Sequence, residues 1–282
     1  MKEIKTRIKS VESTKQITKA MELVSSSKFR KAKERAESAR PYFNTLYNTV
    51  QDIAKNTSNS RNVFLKERKV NNVCYIVIAG DRGLAGGYNS NILKAVIAHN
   101  KLGTGKVIPV GKKAKESLGK RGYEVIDYIE SVEKCAYEDA NRVAQTAMEA
   151  YKNGEVDEVN LVYTEFISAL SQEPKIVKLL PVTIDNTNTE KEVKKGKAAV
   201  QYLPSADAVL GYVLPKYVSG SVYGAIAESF ASEQAARRTA MESATDNANE
   251  MISKLELVYN RARQAAVTQE ISEIVGGAAA AK

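Results

Sequence analysis

Two long stretches, one at each end of the chain, carry apolar or small residues at steps of three and four. In the opening stretch Ile4, Ile8 and Val11 begin the series, Thr14, Ile17, Met21 and Val24 continue it, and Ala32, Ala36, Ala39, Phe43, Leu46, Val50 and Ile53 close it. In the closing stretch the series is Met241, Ala244, Ala248, Met251, Leu255, Val258, Ala262 and Ala265. Such steps keep one seam of a helix against a partner helix. No proline follows Pro215, and no glycine lies between Gly224 and Gly276. The last helix is therefore expected to run roughly 60 residues, about 90 Å at ~1.5 Å of rise per residue. A rod of that length must lie against another helix or inside something else. Pro41 predicts a kink in the first helix, or a joint between two helical pieces.

Between these stretches the pattern changes. VCYIVIAG (residues 73–80) is a short β-branched run of the kind that forms a buried parallel strand. A glycine-rich loop, GDRGLAGGYNS, follows, and then the helical stretch NILKAVIAHN. KVIPVG (106–111) reads as a second strand, KKAKESLGKRG as a helix and YEVIDYI as a third strand or edge. A helix is expected over 136–152, then strands over 156–166 and 173–182. Strands alternating with helices indicate an α/β layer with parallel strands. The polar stretches AKNTSNSRN (54–62) and DNTNTEKEVKKGK (185–197) mark its limits. The expected division is a coiled-coil helix over 1–58, an α/β domain over 59–204 and a coiled-coil helix over 205–282. A compact domain has its two ends close together, so the terminal helices should run antiparallel from one side of it.

Charge refines this picture. Of the net +9, residues 1–55 hold thirteen Lys or Arg against six acids, a net of +7, and residues 205–282 hold seven against nine, a net of −2. A basic first helix is either a solvated face or the bed of an acidic partner. Tryptophan is absent and fourteen tyrosines dominate the aromatics, a balance that suits helices. No apolar run reaches the ~20 residues of a membrane span. The start, MKEIKTRIKS, lacks an apolar core, so neither a secretory signal nor a transit peptide is expected. Cys74 and Cys135 sit in apolar or helical sequence and read as reduced core thiols.

Candidate chemistry is sparse. Gly80, Gly83, Gly86 and Gly87 follow a strand and precede a helix, where a phosphate or dinucleotide site would stand. Their spacing is G-x-x-G-x-x-G-G, neither the dinucleotide fingerprint nor a P-loop, so a tight turn with close packing accounts for them equally well. His99 is the only histidine and has no metal-ligand neighbours in sequence. Nucleic-acid binding lacks interleaved aromatics or a helix-turn-helix. Arg237 and Arg238, and Glu270 and Glu273, read first as ordinary helix surface. The tail QAAVTQEISEIVGGAAAAK weakens that reading, because a free helix end is rarely so apolar; it suits insertion into an apolar sleeve.

Three blocks carry a family resemblance: IKTRIKSVESTKQITKAMELVSSSKFRKA at the start, DRGLAGGYN in the middle, and SEQAARRTAMESATDNANEMISKLELVYNRARQAAVTQEISEIVGGAAA at the end. Together they resemble the gamma subunit of bacterial F-type ATP synthases over nearly the whole chain. The resemblance implies an antiparallel coiled coil of the two terminal helices with a Rossmann-like, parallel-sheet α/β head. It implies a central rotor stalk turning inside a ring of three alpha and three beta subunits, with the head against the epsilon subunit and the membrane c-ring. An asymmetric shaft in a nearly threefold ring presses unequally on the catalytic sites, so ATP chemistry stays in the ring and this chain needs no cofactor or metal. Its place would be the cytoplasmic face of the cell membrane. Met21 matches the position facing the acidic lever loop of beta. Arg237, Gln264, Thr268 and Glu270 match positions meeting the beta catch region, and Ser272 and Glu273 match positions tied to coupling. The cysteine insertion of chloroplast relatives is not seen. The alternative reading is an α/β nucleotide-binding enzyme with coiled-coil arms.

Overall fold

The computed structural model describes residues 1–55, 62–100, 105–168, 171–183 and 202–280, with side chains as far as Gly276. The polar stretch 185–197 and most of 54–62, read from sequence as domain limits, lie outside the described residues. A five-stranded sheet has the order β3-β2-β1-β4-β5, from β1 (Val73–Ile78), β2 (Lys106–Val110), β3 (Glu124–Val125), β4 (Glu158–Phe166) and β5 (Gln172–Leu180). Successive β1 residues face opposite ways and all are buried. Cys74, Ile76 and Ile78 enter one core, Val73, Tyr75 and Val77 the other. Helices α2 (Tyr88–His99) and α3 (Lys112–Gly119) cover the second core through Ile92, Val96, Ala114 and Leu118. The first core is covered by α4 (Tyr137–Lys152), by Val50 and Ile53 of α1 (Lys2–Lys55), and by Leu210, Leu214, Val218 and Val222 of α5 (Ala206–Ala280).

The α/β layer is as expected, with three refinements. The sheet is mixed: β1, β2, β3 and β4 are parallel, whereas β5 pairs antiparallel with β4. Too few residues separate β4 from β5 for the crossover that a parallel pair demands. The third strand shrinks to Glu124–Val125, with Ile129 bridging to Val110. Of the kink or joint expected at Pro41, the joint is ruled out: α1 is one helix through it. Packing on both sides of the proline holds the helix. Arg35 bonds the Tyr223 hydroxyl and the Cys135 carbonyl, and the Phe43 ring lies so close to α5 that Gly220 and Gly224 have no room for a Cβ.

The chain forms two compact units, one of residues 1–26 with 237–282, the other of residues 27–236. Inside the larger unit α1 and α5 run antiparallel, with Tyr47 beside Tyr217, Phe43 beside Tyr223 and Arg40 beside Glu228. Ser205 opens α5, its hydroxyl accepting from the Ala208 N–H at 3.2 Å.

Candidate functional site: an apolar-surfaced helix pair and a filled crevice

The smaller unit pairs the start of α1 with the latter part of α5, and the seam differs from the sequence reading. Thr18 and Ser25 are buried, while Ile17 and Val24 are 59% and 56% exposed. On α5 the inward positions are Met241, Thr245, Ala248, Ile252, Leu255, Tyr259, Ala262 and Ala266, and Met251 and Val258 turn outward. The periodicity is as expected, but at several steps it is displaced by one residue. The Oγ1 atoms of Thr18 and Thr245 meet at 2.8 Å across the seam. The Thr245 hydroxyl is also within reach of the Met241 carbonyl at 2.8 Å, and that of Thr18 of the Lys15 carbonyl at 3.0 Å. Each hydroxyl therefore has a fallback acceptor on its own helix.

The surface is correspondingly apolar. Leu23, Leu257, Val267, Ile271, Ile274 and Val275 are all more than two-fifths exposed, with Ile274 at 71%. Large exposed side chains concentrated on one element mark an interaction site. The sequence points only the tip at a sleeve; on α1 Ile17 and Val24 share the three-four period of the seam and Leu23 lies beside it, so period alone does not reveal their exposure.

The structure places the candidate site residues on this helix pair. Met21 is half-buried on α1, and Arg237 is 9% exposed on α5. Gln264, Thr268, Glu270, Ser272 and Glu273 are exposed. Gln264, Thr268 and Ser272 form one stripe at steps of four: the Thr268 hydroxyl donates to the Gln264 carbonyl at 2.9 Å and the Ser272 hydroxyl to the Thr268 carbonyl at 2.8 Å. Gln269 donates to the Glu273 carboxylate at 2.9 Å. These groups are satisfied within the helix, so an outside contact is an exchange that can be reversed.

In the larger unit, the glycine loop stands at the carboxyl ends of β1 and β4, where the strand order reverses and an open α/β sheet usually binds its ligand. Here α5 occupies that crevice. A Cβ on Gly80 would stand 2.8 Å from Oε1 of Glu233, which is 3% exposed. The Gly80 N–H donates to Asn89 Oδ1 at 2.8 Å, and Asp81 accepts from the Ser131 hydroxyl and the Val132 N–H. Glycine is needed again at Gly111, where φ is +95° and a Cβ would stand 2.1 Å from the Ala79 carbonyl oxygen. These glycines serve close packing.

Burial pushes the Cys74 thiol up to about 12 and that of Cys135 to about 11, and both are free. The Tyr75 hydroxyl and His99 Nδ1 lie 3.0 Å apart. Burial raises the Glu228 carboxyl above its usual range, the Phe166 N–H and Arg40 opposing in part. Among the described residues, no group of three His, Cys, Asp or Glu could hold a metal ion.

Comparison with known proteins places this geometry. The ATP synthase family model matches residues 1–281. The ATP synthase gamma chain of Alkaliphilus metalliredigens is 48% identical over 285 residues, covering 100% of this chain and 99% of that protein. The sodium ion specific ATP synthase gamma chain of Acetobacterium woodii is 46% identical, covering 99% of this chain and 98% of that one. Among solved structures, a central stalk and c-ring assembly of the Tetrahymena thermophila mitochondrial ATP synthase contains a chain with TM-score 0.60 and 28% identity, covering 81% of this chain and 99% of its own. With a family match along its whole length and relatives nearly half identical from end to end, this chain belongs to the ATP synthase gamma chain family.

Proposed function

We propose that this chain is the central rotor stalk of an F-type ATP synthase. It turns inside a ring of three alpha and three beta subunits, and its α/β unit meets the epsilon subunit and the c-ring. It couples transmembrane proton or sodium flow to ATP synthesis or hydrolysis. The observation that carries this reading is the helix pair of the smaller unit: its seam is filled by apolar residues and a few hydroxyls, yet large aliphatic side chains are also spread over its outside. Such a surface offers area without directed grip, which a shaft that must release every contact requires. The basic face of α1 suits acidic loops in the ring, each exposed ion pair being worth only ~0–1 kcal/mol.

In this reading Met21 faces the acidic lever loop of beta, Arg237, Gln264, Thr268 and Glu270 meet its catch region, and Ser272 and Glu273 take part in coupling. ATP chemistry belongs to the ring, and this chain supplies no catalytic residue. No described helix is long and apolar enough to cross a membrane. Attachment through the c-ring at the cytoplasmic face of the cell membrane, as a peripheral subunit, is consistent with that. The filled crevice at Gly80 speaks against the alternative of a nucleotide-binding enzyme.

A pull-down of the tagged chain from membranes tests the assignment. Recovery of an ATPase with alpha and beta in threefold excess is expected, and recovery of neither would refute it. Met21→Lys tests the site: a long cation meeting an acidic loop adds a contact that must be broken at each step, so ATP-driven ion pumping should fall more than assembly. Normal pumping by the variant would remove Met21 from the coupling surface.

A further inference from the structure

Strand β4 outruns its neighbour β1. Their register ends at Val77 against Val162, while β4 continues to Phe166. On the other side Thr164 stands opposite Pro174, which has no N–H to give, so the Thr164 backbone groups turn away from β5. They point into the space beyond the end of β1, and side chains of α5 meet them there. Ser229 Oγ accepts from the Thr164 N–H at 3.0 Å, and Ser232 Oγ donates to the Thr164 carbonyl at 3.2 Å. Glu228 Oε1 accepts from the Phe166 N–H at 3.2 Å. Ser229 and Ser232 are fully buried and Thr164 is nearly so. Glu228 also pairs with Arg40 of α1 at 3.6 Å, and Glu233, next to Ser232, abuts Gly80. In this way α5 continues the hydrogen-bond ladder of the sheet with its own side chains.

Apolar packing of α5, with the Phe43 ring against Gly220 and Gly224, resists rotation about the helix axis through shape alone. Directed hydrogen bonds resist it strongly here, because turning α5 would orphan both backbone groups of Thr164 in a dry site, where an unmade bond is most costly. We propose that Glu228, Ser229 and Ser232 form the torque-bearing joint of this chain: the contacts that stop α5 from turning about its own axis against the sheet. The proposal rests on the rotor reading above and adds the residues that hold the rotor helix to its head. They are positioning residues and touch no nucleotide.

The test is Ser229→Ala/Ser232→Ala in the assembled synthase in membranes, with Ser38→Ala on the exposed face of α1 in the larger unit as control. Hydrogen exchange at the Thr164 amide should accelerate about tenfold or more, equivalent to about 1.4 kcal/mol. A joint that slips lets hydrolysis proceed without transport, so ions moved per ATP hydrolysed should fall about twofold or more while hydrolysis persists. Glu228→Gln, which keeps an acceptor for the Phe166 N–H, should preserve that ratio, and Glu228→Leu should lower it. If the double variant fails to assemble, Ser232→Ala alone gives the same reading with one bond lost. A merely structural role would lower hydrolysis and transport together and leave the ratio unchanged, which overturns the joint. Complexes depleted of this chain separate the two ideas: transport that does not need the chain refutes the rotor, whereas chain-dependent transport with an unchanged ratio refutes only the joint.

Discussion

Gly224→Ala should destabilise a helix in which glycine is intrinsically the poorer residue. Alanine gains about 0.8–1.0 kcal/mol over glycine in a helix interior. Against this, a Cβ on Gly224 would stand 2.8 and 2.9 Å from two carbons of the Phe43 ring. Carbon atoms prefer about 3.5–4.0 Å, so the ring must retreat by about 0.7 Å. Its retreat is narrow, since the opposite ring edge faces the Gly220 backbone, where an added Cβ would stand 2.9 Å away. Overpacking of this kind costs about 1–3 kcal/mol. Gly211 supplies the control: it lies in the same helix with nothing within 4 Å of an added Cβ. Propensity cancels between the two substitutions, so Gly211→Ala and Gly224→Ala should differ by the clash alone, roughly 2–12 °C in Tm at about 2–4 °C per kcal/mol. Gly220→Ala/Gly224→Ala should cost more than the sum of its parts, because both methyls press on one ring. In a Phe43→Ala background Gly224→Ala should become stabilising. Thermal unfolding of the full chain by circular dichroism measures all of these. If Gly224→Ala raised Tm as much as Gly211→Ala in the wild-type background, the close approach of α1 and α5 at Phe43 would be wrong.

Three further outcomes follow from the same geometry. Thr18→Val and Thr245→Val should each shift stability by less than about 1 kcal/mol, because the remaining hydroxyl keeps an acceptor on its own helix; denaturant unfolding showing a loss of about 3 kcal/mol would contradict this. Glu228→Gln should be no more stable than wild type at low pH and increasingly more stable as pH rises. The folded carboxyl holds its proton above the usual value of 4.5, so the folded state binds more protons there and wild-type stability falls as pH climbs through that window. A stability difference independent of pH between the two proteins would refute the burial argument. With their thiols raised to about 12 and about 11, Cys74 and Cys135 should stay unlabelled by a maleimide near neutral pH until the chain is unfolded, and rapid labelling of either in the native chain would contradict their burial.

The long helices and the α/β layer were legible because they rest on local periods. Steps of three and four reveal helix from α1 and α5 alone, and the unbroken β-branched run of β1 reveals a strand covered on both faces. The same blocks were enough to mark the family. What local period cannot fix is azimuth. Positions one residue apart satisfy nearly the same three-four pattern, so Ile17 and Val24 looked like seam, while small hydroxyls at Thr18 and Ser25 take the inward places. Only the facing helix, through Thr245, decides between them. The direction of β5 and the filled crevice depend likewise on contacts between distant segments: Ser229 and Thr164 are 65 residues apart. A hydrophobic period states that a face will be covered; which chain segment covers it, and which backbone groups are thereby left in need of a partner, is settled only when the segments are packed together.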